Sequence, residues 1–96
     1  MYAQSVKAIL DWIILSELKN RAMSGYDIIS YIHNKFGILL SSGTVYSHLY
    51  SLERKNLIMG DYDERKRIYK ISSFGKKSFD EISKSNLDLL KIIEKV

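Results

Sequence analysis

The chain has 96 residues, of which 46% are hydrophobic and 27% are charged, so it can form one small globular domain but not two. It contains no cysteine, which excludes a disulfide framework, a cysteine-ligated zinc site and a thiol nucleophile. The formal net charge of +4 favours an anionic partner only weakly, because many basic proteins bind no nucleic acid.

The most apolar stretch, residues 8–15, is interrupted by Asp11 and is too short to span a bilayer. No signal peptide is recognisable. We therefore expect a cytoplasmic protein with no membrane partner.

Two helices are expected in the first forty residues. Apolar side chains lie nearly all round the first, from residue 4 or 5 to about residue 20, so it should be covered on more than one side. Ser24 suits the N-cap of the second helix, and Asp27 lies favourably in its first turn. Gly37 suits its C-terminal end, and Tyr26 is expected to belong to its core face.

A third helix, capped by Ser41 or Ser42 and ending at about residue 56, has two unlike faces. The core-directed positions, spaced i, i+4 and i+7, are Val45, Leu49 and Leu52. The opposite face is small, hydroxylic and basic, and comprises Gly43, Thr44, Ser47, Tyr50, Ser51 and Arg54. Such a helix can be anchored in a core on one side and lie against a nucleic acid on the other.

Two short extended segments follow, at residues 57–59 and 67–72, with a polar turn between them. Their β-branched and aromatic content predicts a hairpin. Six cations and no acid lie between residues 65 and 79, namely Arg65, Lys66, Arg67, Lys70, Lys76 and Lys77. Ser73 is expected to cap a last helix that runs from residue 74 to about residue 95.

The last helix carries an apolar stripe with the spacing of a heptad seam. The positions of this seam are Phe79, Ile82, Asn86, Leu89, Ile93 and Val96, and Leu87 and Leu90 widen it. We expect this stripe, with Ile9, Trp12 and Ile13 of the first helix, to form a homodimer contact in which Asn86 fixes the register. The alternative is that the last helix folds back on the first helix of its own chain, and we expect a mixture of the two.

The predicted order is therefore α-α-α-β-β-α, a mainly α fold with a small β-hairpin. This order is the winged helix-turn-helix arrangement, in which the third helix enters the major groove and the hairpin, or wing, reaches the backbone or minor groove. Residues 1–73 would form the winged-helix part, and residues 74–96 would form the dimerisation helix of the same compact unit. A solvated amphipathic helix beside a basic hairpin would show the same pattern without binding DNA.

Five segments carry a resemblance to a known family: ILSEL at 14–18, SGYDII at 24–29, LSSGTVY at 40–46, LERKNLI at 52–58 and RIYKISSFGK at 67–76. In order and spacing they resemble the PadR family of winged-helix transcriptional regulators. The chain departs from the family pattern at Ser42 and at Ser73 with Phe74, where proline is frequent. Asn56 stands where glycine is usual, which is tolerable because asparagine also adopts the left-handed conformation.

The resemblance implies a homodimeric repressor that reads a palindromic double-stranded DNA site through helix 42–56 and the wing at 59–67. It places four residues at the entrance of the recognition helix: Ser42, Gly43, Thr44 and Tyr46. The full predicted DNA-binding set is Ser42, Gly43, Thr44, Tyr46, Ser47, Tyr50, Ser51, Arg54, Arg65, Lys66 and Arg67.

No catalytic grouping, metal site or cofactor motif is recognisable, so we expect no enzyme. His33 and His48 are isolated in the sequence, and Asp11 and Glu17 are dispersed and expected to be solvated or capping. Two other functions stay open. One is a winged-helix protein-interaction module that binds no DNA. The other is a regulator that senses a small aromatic effector in a cavity lined by Trp12.

Overall fold

Four helices and three strands follow one another along residues 2–85, the part of the chain that the computed structural model describes. The elements are α1 (Tyr2–Leu18), β1 (Met23–Ser24), α2 (Gly25–Phe36), α3 (Ser42–Arg54), β2 (Ile58–Asp63), β3 (Lys66–Ile71) and α4 (Ser73–Ser85). The predicted order of helices and hairpin is confirmed, and the fold is a winged helix-turn-helix with one additional strand. Helix α1 begins and ends about two residues earlier than predicted.

Helix α2 has the predicted caps. The Ser24 hydroxyl accepts a hydrogen bond from the Asp27 N–H at 3.1 Å, and the Ser24 N–H donates to the Asp27 carboxylate at 3.0 Å. This backbone hydrogen bond holds the pKa of Asp27 below its usual value. Gly37 ends the helix in the left-handed conformation, with φ of 70°. Tyr26, by contrast, is 70% exposed, so its predicted place in the core is wrong.

Helix α3 is anchored by the face that its periodicity predicts. Val45, Leu49 and Leu52 are each no more than 1% exposed. Of the two candidate caps, Ser41 is the one used, because its side chain accepts a hydrogen bond from the Thr44 N–H. The helix ends at Arg54, two residues before the predicted end, and Asn56 follows with φ of 61°.

The three strands form one antiparallel sheet in the order β1-β3-β2. The hairpin of β2 and β3 is longer than predicted, because its strands extend to a two-residue tip between Asp63 and Lys66. The two-residue strand β1 was not predicted. It adds to the hairpin through the pairing of Met23 with Tyr69 and ties the start of α2 to the wing.

A buried corner joins the end of α3 to the start of α4. The Ser72 hydroxyl donates to the carbonyl oxygen of Asn56 at 2.7 Å and accepts from the Gly75 N–H at 2.8 Å. Ser72 is therefore the N-cap of α4, and the prediction that Ser73 caps this helix was wrong by one residue. A Cβ at Gly75 would lie 2.0 Å from the carbonyl oxygen of Leu57, so this close approach requires glycine.

The core lies between the four helices and the inner face of the sheet. Its buried hydrophobic side chains are Trp12, Ile13, Ile14, Leu15, Leu18, Met23, Ile28, Ile32, Val45, Leu49, Leu52, Ile58, Tyr69, Ile71 and Phe79. Helix α4 packs on α1 of the same chain, with the ring centroids of Trp12 and Phe79 5.3 Å apart. An ion pair of 2.9 Å between Lys19 and Asp80 crosses the same contact.

We predict that Gly75→Ala destabilises the fold by about 1–3 kcal/mol, because the added methyl group would meet backbone that cannot move aside. Gly43→Ala is the matched control. A Cβ there meets no atom closer than the Ser41 hydroxyl at 4.0 Å, and the position is helical. It should leave stability unchanged or raise it by up to about 1 kcal/mol. Urea unfolding of both variants measures the difference, and equal effects would contradict the corner's close packing.

Candidate nucleic-acid interface

The start of α3 presents small polar groups to solvent. Ser42 and Gly43 are exposed, and as the first residues of the helix they have backbone N–H groups without an intrahelical acceptor. Ser41 donates its hydroxyl proton to the Thr44 hydroxyl at 2.9 Å, which orients the half-buried Thr44 side chain. This end of the helix carries partial positive charge and can accept an anion such as a phosphate.

The exposed side of α3 continues along its length. Ser47 is exposed, Ser51 is half-buried, and Tyr50 is 64% exposed. The Arg54 guanidinium lies over the Tyr50 ring, 5.6 Å from its centroid, one turn further along. These predicted residues therefore lie on one side of α3, where a cation and an aromatic ring are next to each other.

Tyr46 lies at the edge of this surface and also packs against α2. A Cβ at Gly25 would come within 2.5 Å of the Tyr46 ring, so the ring rests directly on the backbone of α2. The residue is nevertheless 46% exposed. This position is compatible both with a packing role for the ring and with a hydrogen-bonding role for the hydroxyl at the surface.

The three cations of the wing differ in their surroundings. Arg65 is at the exposed tip, and Lys66 is exposed opposite Asp63 in the strand register. Arg67 instead turns toward α3, where its guanidinium forms an ion pair with Glu53. The six residues from 61 to 66 include three acids, Asp61, Asp63 and Glu64, so the tip is not strongly basic.

Sequence reasoning missed two exposed tyrosines that border the surface. Tyr26 follows Gly25, the residue that touches Tyr46, and Tyr62 lies on the wing with 74% of its surface exposed. For Tyr26 a signal was present in the sequence. Tyr26 is two residues from the buried Ile28, which places it on the other side of α2.

Helix α3 is also held to α1 by a side-chain pair. Nδ1 of His48 lies 2.6 Å from Oδ1 of Asp11, and both side chains are largely buried. With the carboxylate ionised, the imidazole is the donor. The expectation that Asp11 is solvated is therefore wrong, because its partner lies 37 residues away in the sequence.

The predicted dimer residues divide into three groups. Trp12, Ile13 and Phe79 are buried in the core of their own chain, where α4 folds back on α1. Ile9 is partly buried against this core, and Ile82 is 43% exposed. The remaining predicted contacts, Asn86, Leu89, Leu90 and Ile93, lie outside the described residues.

A mostly apolar cleft of about 300 Å³ opens between α1, the end of α3 and α4. It is lined by Ala8, Asp11, Trp12, Leu15, Leu52, Lys55, Leu57 and Ile82. The indole Nε1 of Trp12 is buried and has no hydrogen-bond partner.

Within the described part of the chain, no three His, Cys, Asp or Glu side chains are grouped so as to hold a metal ion. Among residues 2–85, no helix combines the length and apolar character needed to cross a membrane.

A family model, the transcriptional regulator PadR-like family, matches residues 14–81. The chain belongs to this family. The PadR-like resemblance of the sequence motifs is thereby confirmed, as is the expectation that the protein is not an enzyme, since PadR-like proteins are regulators of transcription.

Solved structures of transcriptional regulators have the same fold. A transcriptional regulator from Clostridium thermocellum is 26% identical, with a TM-score of 0.80 over 99% of this chain and 96% of that one. A PadR-like transcription factor from Bacteroides fragilis is 21% identical, with a TM-score of 0.84 over 98% and 95%. Bacillus subtilis PadR in complex with operator DNA is 25% identical, with a TM-score of 0.70 over 76% of this chain and 45% of that one. No curated protein matches the chain.

We predict that the Asp11 and His48 side chains stabilise α3 as a coupled pair. Asp11→Ala and His48→Ala should each cost about 1–3 kcal/mol, because each leaves a buried polar partner unsatisfied. The double variant should cost about 0.5–3 kcal/mol less than the sum of the two. Thermal or urea unfolding measures all three.

The matched control for this cycle is His33→Ala, since His33 is an exposed histidine on α2. It should change stability by no more than about 0.5 kcal/mol. Strictly additive losses at Asp11 and His48 would show that the contact contributes nothing of its own.

Proposed function

We propose that this PadR-like protein is a homodimeric, sequence-specific DNA-binding repressor that reads a roughly palindromic site. The observation that carries the proposal is the exposed surface of α3, on which the Arg54 guanidinium lies over the Tyr50 ring. The similarity to Bacillus subtilis PadR, whose structure contains operator DNA, supports this use of the surface.

On this proposal α3 lies in the major groove with its N-terminus toward the backbone. The free N–H groups of Ser42 and Gly43 bind a phosphate, and the Thr44 and Tyr46 hydroxyls bind the backbone of the same DNA strand. The base edges are read by the side chains further along: Ser47, Tyr50, Ser51 and Arg54. Arg65 and Lys66 contact the backbone beside the groove.

The dimer is proposed to form through the C-terminal residues 74–96 together with α1. The half-exposed Ile82 and the partly buried Ile9 supply apolar surface for this contact. Two recognition helices related by a two-fold axis would then read half-sites about one helical turn apart, ~34 Å. We propose repression because a dimer that covers such a site excludes polymerase without further contacts.

We predict that Arg54→Ala and Arg65→Ala each weaken duplex binding and flatten its salt dependence. Each cation removed from the DNA-facing surface should reduce the slope of log K against log salt concentration by up to about 0.9. Lys84→Ala, on α4 and also exposed, is the control for net charge alone and should leave the slope unchanged. Fluorescence anisotropy titrations at several salt concentrations measure this, and slopes equal to that of the parent protein would contradict these roles.

A protein-interaction module is the second candidate, favoured by the balance of acids and cations at the wing tip. Selection of bound duplexes from a random pool, followed by mobility shifts on the protein's own upstream region, separates the two functions. A selected sequence that is shifted at low salt supports the regulator. The absence of any sequence-selective shift supports the interaction module.

A small aromatic effector is proposed as a further partner, because Trp12 lines the apolar cleft between α1 and α4. Trp12 is the only tryptophan in the chain, so its fluorescence reports on this cleft alone. We expect planar aromatic compounds to quench it in a saturable way and to lower DNA affinity. Unchanged fluorescence across such compounds, with the dimer intact by sedimentation, would remove the support for an effector.

A further inference from the structure

Arg67 and Glu53 connect the wing directly to the recognition helix. Arg67 belongs to β3, and Glu53 lies in the last turn of α3. Nη2 of Arg67 is 2.5 Å from Oε2 of Glu53, so the pair forms a charge-assisted hydrogen bond. The contact joins the two elements that are proposed to touch DNA.

The surroundings of the guanidinium are shaped to hold it. Its central carbon lies 5.8 Å from the Tyr62 ring centroid and 5.5 Å from that of Tyr69. A Cβ at Gly60 would come within 2.6 Å of the Arg67 Nε atom, so the arginine side chain lies directly across the bare backbone of β2. Aromatic rings and a bare backbone suit the flat, delocalised arginine cation better than the compact ammonium group of lysine.

This ion pair lies at the point along the wing where the hairpin leaves the core. The inner face of the hairpin is buried at Ile58, Ile71 and Tyr69, but it leaves the core at the Tyr62–Arg67 pair. The residues from 61 to 66 are all exposed. The ion pair therefore fixes the base of the exposed part of the wing at a set distance from the end of α3.

We propose that Arg67 is a positioning residue, which with Glu53 sets the wing at the spacing from α3 that the DNA requires, and that its charge is not used on a phosphate. This inference rests on the proposed function, namely that α3 and the wing bind one duplex. It reassigns Arg67 from the set of direct phosphate contacts, and it adds Glu53, an acid that sequence reasoning had no cause to include.

The sign of the effect at Glu53 separates positioning from simple electrostatics. Glu53→Gln removes a negative charge from the surface that meets the DNA, which by charge alone should strengthen binding. It would also release Arg67 toward a phosphate. If Arg67 and Glu53 instead position the wing, the same change weakens binding.

The experiment measures the duplex affinity and salt slope of the parent chain, Glu53→Gln, Arg67→Gln and the double variant, using a duplex selected from the random pool. We expect each single variant to bind about three- to tenfold more weakly, and the double variant to be no worse than either. The salt slope of Glu53→Gln should equal that of the parent. Glu64→Gln, which neutralises an exposed acid at the wing tip, is the matched control and should bind more tightly.

Hydrogen exchange of the backbone amides of residues 60–67 in the free protein provides a second measurement. Glu53→Gln should speed exchange in this segment while leaving the amides of α1 unchanged, and Glu64→Gln should not. Tighter binding by Glu53→Gln, or unchanged exchange in the wing, would overturn the inference. Failure of the parent chain to bind any duplex would overturn the proposed function instead, and the exchange measurement would still decide whether Glu53 and Arg67 hold the wing.

Discussion

Burial of one face of α3 is the constraint on which the rest of the structure depends. Val45, Leu49 and Leu52 are almost fully removed from solvent, and each contributes about 1.5–3 kcal/mol by leaving water. These side chains pack against α1, α2 and the inner face of the sheet. With one face fixed in this way, the opposite face is presented at a defined angle, and small polar residues there cost the fold little.

Much of this arrangement could be predicted from the sequence, because it follows from local patterns. Helical periodicity predicted the buried face of α3, and cap chemistry predicted Ser24 and Gly37. What could not be predicted depends on partners distant in the chain. Strand β1 is only two residues long and is defined by its pairing with β3, and Asp11 is buried because His48 reaches it from another helix. No local signal distinguishes such residues from solvated ones.

The candidate site shows the same division. The exposed residues of α3 were predicted as a set, since a helix's two faces can be read from spacing alone. The roles of the wing cations could not be read in this way, because a run of basic residues does not reveal which of them has an acidic partner. Arg65 and Lys66 are exposed, whereas Arg67 is held by Glu53 and two tyrosine rings.

The pairing of β1 with β3 also has a consequence for how the chain folds. Met23 pairs with Tyr69, so this contact closes a loop between positions 46 residues apart (69 − 23). The helices and the β2–β3 hairpin need only local contacts, which form early and at small entropic cost. The two-residue strand has to wait for them, because its partner strand exists only after the hairpin has formed. The smallest element of the sheet can therefore form only once the hairpin is in place, whatever its own two residues favour.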